Sequence, residues 1–247
     1  MNPLAIVLLG LQFPFVSGAG GLRLHNSWDG WCGDMNETSF LAAADYLNAT
    51  LLPFGFDLIV LDGGWAKGFD SYGRPVPDAT KFPSTAGGAG LRALSDMAHA
   101  RGLRFGVWDI RGVPVVAVEG KWPIYGSAFT ADQAARFDQN CTWEHSKVGI
   151  LPNAAGEAWY ASAAAYYAQQ GVNYVKMDCM DLGAAPGGGL YMDDFETFAV
   201  AFKALEIEVS VSPGSLNPAN ATWIGENGFA KHYRITGDFW DIWDNGE

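Results

Sequence analysis

The sequence predicts an α/β fold, a (β/α)₈ barrel of which about six βα units are present. Three observations carry this expectation. One spacing recurs at residues 55–62, 102–109 and 171–178: a glycine, six residues rich in β-formers, then an aspartate. Segments with a helical apolar rhythm lead into these glycines. The length of 247 residues fits one large domain, because such a barrel takes about 250.

A first strand is expected at 22–28. Phe40, Ala44, Leu47 and Leu51 then fall at i, i+4, i+7 and i+11, which places a helix before Gly55 and a strand at 57–62. Leu91, Leu94, Ala98 and Arg101 repeat that rhythm before Gly102 and a strand at 104–110. A glycine at each of these helix ends supplies the left-handed conformation that stops a helix at little cost. Gly171 leads into a strand at 173–178. Phe195, Phe198, Ala199 and Phe202 share one face of a helix over 194–205, followed by strands at 207–212 and 232–237. Parallel strands joined by helical crossovers make an α/β architecture. A closed barrel needs eight strands, so residues 21–247 are expected to form an incomplete catalytic barrel. A natural six-stranded open sheet is the alternative, disfavoured because it leaves strand edges unpaired. Two long Pro- and Gly-rich insertions, 63–88 and 111–153, follow the second and third strands, at the rim where barrel enzymes build their sites.

Composition narrows the function. A net charge of −12 argues against nucleic acid and anionic membrane surfaces as partners, since phosphate repels an acidic protein. Three cysteines and four scattered histidines supply no zinc-type cluster, and no metal or other cofactor is expected. Aromatic residues reach 14%, and their faces suit sugar rings as well as cores. Residues 4–16 form an apolar run, too short to span a bilayer, followed by the small residues SGAGG. Residues 1–20 are therefore read as a secretory signal, which places the mature protein outside the cell or in a lysosome or vacuole. Sequons at Asn36, Asn48, Asn140 and Asn220 agree with that route.

The chemistry is expected at strand ends. Asp62, Asp109, Asp178 and Asp238 all end strands, and a lone aspartate there is more often a helix cap than a catalyst. Strand alternation puts Tyr174, Lys176 and Asp178 on one face, and Arg234, Thr236 and Asp238 on another. A lysine and an arginine facing a barrel interior are costly unless they pair with carboxylates or a polar ligand. Such a rim suits either a divalent metal or cleavage of a glycosidic bond. The interleaved cations compete for the carboxylates and argue against the metal, while Trp28, Trp65, Trp108, Trp143 and Trp240 near the rim favour a sugar. In a retaining glycosidase one carboxylate attacks the anomeric carbon and a second, about 5–5.5 Å away, protonates the leaving oxygen. Lys176 is expected to keep Asp178 ionised as the nucleophile. Asp238, between Gly237 and the aromatic pair Phe239 and Trp240, has the drier setting of a proton donor.

At these residues the chain resembles glycoside hydrolase family 27, the α-galactosidase and α-N-acetylgalactosaminidase family. The matching pieces are HNSWDGW (25–31), DLIVLDGGW (57–65), RFGVWDIRG (104–112), YVKMDC (174–179) and YRITGDFWD (233–241). The ordered set is specific where any one piece is weak. The resemblance implies that Asp178 is the nucleophile and Asp238 the acid/base, with Trp28, Asp62, Lys176 and Arg234 binding the sugar beside the strand-end Trp108. It also implies a disulfide between Cys141 and Cys179, leaving Cys32 free, either a small buried residue or an accessible thiol. The missing closing strands and a C-terminal β-sandwich complete the architecture the family implies. Two departures bear on specificity. Galactose-binding members commonly carry two adjacent aspartates at the end of the second strand, where this chain has Asp62 and Gly63. The loop after the fifth strand often carries a Glu-Trp pair, where this chain reads SVSPG (210–214). An α-galactoside remains the expected substrate, with a β-L-arabinopyranoside or another related glycoside behind it. A carbohydrate-binding chain without turnover is the competing class, and homodimerisation stays open.

The remaining polar residues have plainer readings. Asn36 is expected to cap the first helix, Asp109 to belong to the rim or to hold Arg111, and His25 and His145 to be packed or hydrogen-bonded. Asp241 and Asp244 read as charges at a helix start.

Overall fold

Six parallel strands lie side by side in chain order in a computed structural model of the protein, which describes residues 21–180, 191–212 and 218–234. They are β1 (Leu24–Asn26), β2 (Leu58–Leu61), β3 (Arg104–Ile110), β4 (Tyr174–Asp178), β5 (Glu208–Ser212) and β6 (His232–Tyr233). Every neighbouring pair is parallel. The order never reverses, so the chain winds one way round, unlike a doubly wound sheet with its switch point. The crossovers carry α1 (Glu37–Tyr46), α2 (Arg92–His99), α3 (Ala154–Gln169), α4 (Met192–Lys203) and α5 (Pro218–Asn227). All six strands fall within the segments read from the sequence. Residues 1–20, read from the sequence as a signal, and Thr236, Asp238, Trp240, Asp241 and Asp244 lie outside the described residues.

The helix ends follow from local chemistry. Asn36 caps α1, its side-chain oxygen accepting from the Ser39 amide at 3.0 Å, and Asn153 does the same for α3 through Gly156 at 2.9 Å. At the C-terminal ends of α2 and α3, Gly102 and Gly171 both sit at φ 74°, and the following Leu103 and Val172 amides bond back to Ala98 and Tyr167.

The two faces of the sheet are filled differently. Outward-facing Ile59, Leu61, Phe105, Val107, Val175, Met177, Val209 and Val211 join Phe40, Leu94, Tyr167, Phe198 and Phe202 of the helices in one buried cluster. Each fully buried side chain of this kind contributes roughly 1.5–3 kcal/mol. The inward face has its own small cluster, Leu58, Val60 and Tyr174. Gly106 makes room for it: a Cβ there would stand 2.9 Å from the Tyr174 ring and 3.1 Å from Val60. Below that layer, Arg104 grips Asp57 with two bonds of 3.0 and 3.1 Å and reaches Glu208 at 2.7 Å, while Glu208 also meets His232 at 2.8 Å. This ionic chain ties β3, β5 and β6 at the end opposite the carboxylates.

The two long insertions carry strands of their own, where the sequence reads as Pro- and Gly-rich loop. The first holds an antiparallel pair, Ala66–Phe69 with Pro75–Pro77, and the second a three-stranded antiparallel sheet of Val113–Pro114, Lys147–Ile150 and Ala135–Arg136. Arg74 packs among Tyr72, Tyr125 and Tyr166 at 4.8–5.1 Å from each ring centre, pinning the first insertion to the second and to α3.

Candidate active site

Register aligns the top layer of the inward face. Trp108 of β3 pairs with Lys176 of β4, and Ile110 with Asp178, while Ser210 and Ser212 of β5 stand opposite Lys176 and Asp178. Side chains two apart point the same way. Tyr174 therefore fills the interior, Lys176 stands above it, and Asp178 reaches the rim.

Asp178 is half-buried and held on both oxygens. The Trp108 Nε1–H donates to Oδ2 at 3.0 Å, and the Cys179 amide donates to Oδ1 at 2.8 Å. Cys179 takes a left-handed φ of 58° and is anchored by a disulfide to Cys141, the pairing the family resemblance implies. Cys32 is free, as that pairing leaves it, and of the two readings left open it takes the exposed one, in the short helical turn Cys32–Asp34 on the surface.

Lys176 does not pair with Asp178 as expected. Its Nζ donates to Oδ2 of Asp62 at 2.8 Å, across the barrel interior. The alternation that puts residues 176 and 178 on one face also separates them by two residues along the strand, and the end of β2, one strand beyond β3, offers a closer carboxylate. Asp62 is 3% exposed and fully engaged: Asn26 donates to Oδ2 at 2.6 Å, the Gly63 amide donates to Oδ1, and the Asp62 amide bonds the Ser27 hydroxyl at 2.9 Å. Asn26 accepts in turn from the Trp28 amide at 2.8 Å, which positions Trp28 at the rim. Asn26 and Ser27 escaped the sequence reading, although they lie inside the HNSW piece; their bonds are set by β1 and β2 pairing, which the sequence order does not display.

Trp28 lies against Gly63, where a Cβ would meet the Trp28 ring at 3.1 Å and the Trp108 ring at 3.9 Å. Two indoles therefore flank the position where a second aspartate would stand. The adjoining Gly64, at φ 85°, abuts the backbone of Gly33 so closely that a Cβ would come within 2.5 Å of it, and Lys81 binds the carbonyls of both. These contacts fix the β1 and β2 rim loops against each other. Arg234 follows β6, half-buried, with its amide on the Val211 carbonyl at 3.1 Å.

Buried charges pair behind β3. Asp109 does not hold Arg111; its Oδ1 accepts from Lys147 at 2.6 Å and its Oδ2 from the Tyr167 hydroxyl at 2.8 Å. Arg111 instead pairs with Asp194 of α4 at 2.9 Å, both 1% exposed or less, and donates to the Cys179 carbonyl. Tyr160 donates to the same Asp194. Burial pushes the Tyr160 and Tyr167 hydroxyls well above the ordinary phenol range, so both remain donors, and burial also raises Asp194 against the opposing pull of Arg111. Trp65, 3% exposed, is a strut and not a sugar platform: its Nε1 bonds the Trp108 carbonyl at 2.7 Å. Trp143 is 56% exposed on the second insertion, and His145 beside it is also exposed, not packed as the sequence reading had it. His25 packs edge-on against Trp31 at 5.6 Å. Among the described residues no group of three or more His, Cys, Asp or Glu is placed to hold a metal ion.

No protein-family model matches the sequence. An α-galactosidase of Oryza sativa is 29% identical over 88% of this chain and 42% of its own length, and one of Coffea arabica is 28% identical over 89% and 47%. Among solved structures, a GH27 β-L-arabinopyranosidase from Geobacillus stearothermophilus superposes with a TM-score of 0.83 at 31% identity, over 90% of this chain and 54% of that one. The chain thus spans about half the length of the relatives it matches. On these similarities the chain belongs to glycoside hydrolase family 27.

Proposed function

We propose that this chain carries the catalytic barrel of a retaining glycoside hydrolase acting on terminal α-galactosides or a closely related glycoside. The observation that carries the reading is the Asp178 carboxylate held by Trp108 and Cys179, facing a Lys176–Asp62 pair at the same end of the sheet. Asp178 attacks the anomeric carbon and displaces the aglycone; Asp238, outside the described residues, gives its proton to the leaving oxygen. Water activated by Asp238 then cleaves the ester at Asp178 and releases the sugar with retained configuration. Asp62, Lys176, Trp28 and Arg234 orient the ring. The one-way strand order supports reading the six strands as the first six of an eight-stranded barrel. The disulfide supports a secretory location, outside the cell or in a lysosome or vacuole.

A second specificity has its own support. Gly63 offers no hydroxyl-binding group, and the indoles of Trp28 and Trp108 crowd its Cβ position. A β-L-arabinopyranoside has the ring hydroxyls of galactose without the exocyclic CH₂OH, and a β-L-arabinopyranosidase is among the similar structures.

Parallel assays of aryl α-galactoside and aryl β-L-arabinopyranoside test both readings. Turnover of either, with product of retained configuration and loss of activity in Asp178→Asn, is the expected outcome. A wild-type rate in Asp178→Asn would remove the nucleophile assignment, and sugar binding without product would turn the chain into a binding protein.

A further inference from the structure

Arg111 is 2% exposed and stands beside the strand end that carries Asp178. Its own amide donates to the Asp178 carbonyl at 3.3 Å, and its Nε donates to the next carbonyl, that of Cys179. Nη2 donates to the carbonyl of Gln139, two residues before the cysteine bridged to Cys179. Nη1 donates to Asp194 of α4 at 2.9 Å, and Tyr191 covers the guanidinium at 3.6 Å from its ring centre. Asp194 is held in turn by the Tyr160 hydroxyl and by the Ile150 amide at 3.2 Å. Gly149 makes room for the group, since a Cβ there would stand 3.2 Å from Nη1. One side chain thus joins β4, α4 and the second insertion.

A buried ion pair adds little net stability, because the desolvation of both charges offsets their attraction. What this one supplies is geometry, since a guanidinium presents its donors in a rigid plane. That geometry acts at Cys179, whose left-handed φ of 58° persists in a non-glycine residue only where the surroundings hold it. The Cys179 amide is the donor to Oδ1 of Asp178, and it shares one peptide plane with the Asp178 carbonyl. Arg111 holds that plane by its backbone and the following one by its guanidinium. We propose that Arg111, fixed by Asp194, is a positioning residue that locks the turn at Cys179 and through it orients the Asp178 carboxylate for attack. The attack rests on the glycosidase reading; the orientation does not.

Two variants of the full chain test this. Arg111→Lys keeps a cation beside Asp194 but replaces the planar fork by one ammonium. Arg111→Met with Asp194→Asn removes both charges together, so neither is left buried alone. The first readout is solvent exchange of the Trp108 indole N–H, bonded to Asp178, with the Trp65 indole N–H, bonded to the Trp108 carbonyl, as internal reference. By NMR, the Trp108 proton should exchange at least tenfold faster in both variants, and the Trp65 proton within twofold of wild type. The second readout is turnover of an aryl α-galactoside and an aryl β-L-arabinopyranoside, where kcat should fall at least tenfold and KM move less than threefold. Unchanged exchange at Trp108 in both variants would overturn the positioning role. Faster exchange of both indoles together would overturn it too, since that marks a merely structural residue, and so would a wild-type kcat in both variants. Absence of turnover by wild type would remove the glycosidase reading instead, and the indole readout alone would then decide the orientation.

Discussion

The indole Nε1 of Trp108 donates to Oδ2 of Asp178 at 3.0 Å, reaching from β3 to the end of β4. A donor in this place stabilises an attacking carboxylate and fixes its rotamer, leaving Oδ1 to the Cys179 amide. Trp65 holds the Trp108 carbonyl, so the donor itself is fixed from behind.

Trp108→Phe tests that relationship, since it keeps a ring and removes the N–H. A hydrogen bond to a charged group is worth about 1.5–3 kcal/mol, so kcat/KM for an activated aryl glycoside should fall roughly tenfold to hundredfold. The melting temperature should change little. A variant within twofold of wild type would show that the bond does not orient Asp178 during reaction.

Lys176 and Asp62 are coupled across the interior, with side-chain exposures of 23% and 3%. Lys176→Met leaves Asp62 buried with its charge uncompensated, and breaking such a pair costs about 3–5 kcal/mol. Asp62 keeps its bonds to Asn26 and Gly63, which places the loss at the lower end of that range. The double variant Lys176→Met, Asp62→Asn should recover at least about 1 kcal/mol by chemical denaturation. Strict additivity of the two single losses would mean that the pair is not energetically coupled.

Much of this architecture is legible in local sequence because it rests on local rules. The helix caps at Asn36 and Asn153, the glycine stops and the strand ends all depend on residues within a few positions of each other. Which charges pair depends on sheet register and on returns of the chain. Lys176 finds Asp62 from 114 residues away, Arg111 finds Asp194 from 83, and Lys147 finds Asp109 from 38. Alternation shows that Lys176 faces inward and says nothing of which strand holds its partner, here β2, two strands away. The strands inside the insertions were hidden for a related reason: Lys147–Ile150 pairs with segments of two residues each, too short for a period to register.

The Cys141–Cys179 bridge closes a loop of 38 residues between the second insertion and the end of β4. Chain entropy alone assigns such a cross-link about 4 kcal/mol. Cys141→Ala with Cys179→Ala should therefore lower unfolding free energy by roughly 2–4 kcal/mol in denaturant titration, and reduced wild type should behave like the variant. A loss under about 1 kcal/mol would mean that the unfolded chain is already constrained or that the second insertion is anchored without the bridge.

His25 provides the pH handle. Its ring lies edge-on to Trp31, its Nε2 is buried with no hydrogen-bond partner among the described residues, and burial lowers its pKa from 6.5. Protonation thus favours the unfolded chain, whose histidine binds a proton at a higher pH than the folded one. The neutral ring's contribution is complete above pH 6.5 and is lost as the pH falls towards the folded value, so stability declines on acidification through that window. His25→Phe keeps an aromatic edge against Trp31 and removes the titration. Its melting temperature should fall less than that of wild type between pH 7 and pH 5. Parallel melting curves for the two proteins over that range would show that acid sensitivity arises elsewhere, with the rim carboxylates the next groups to replace.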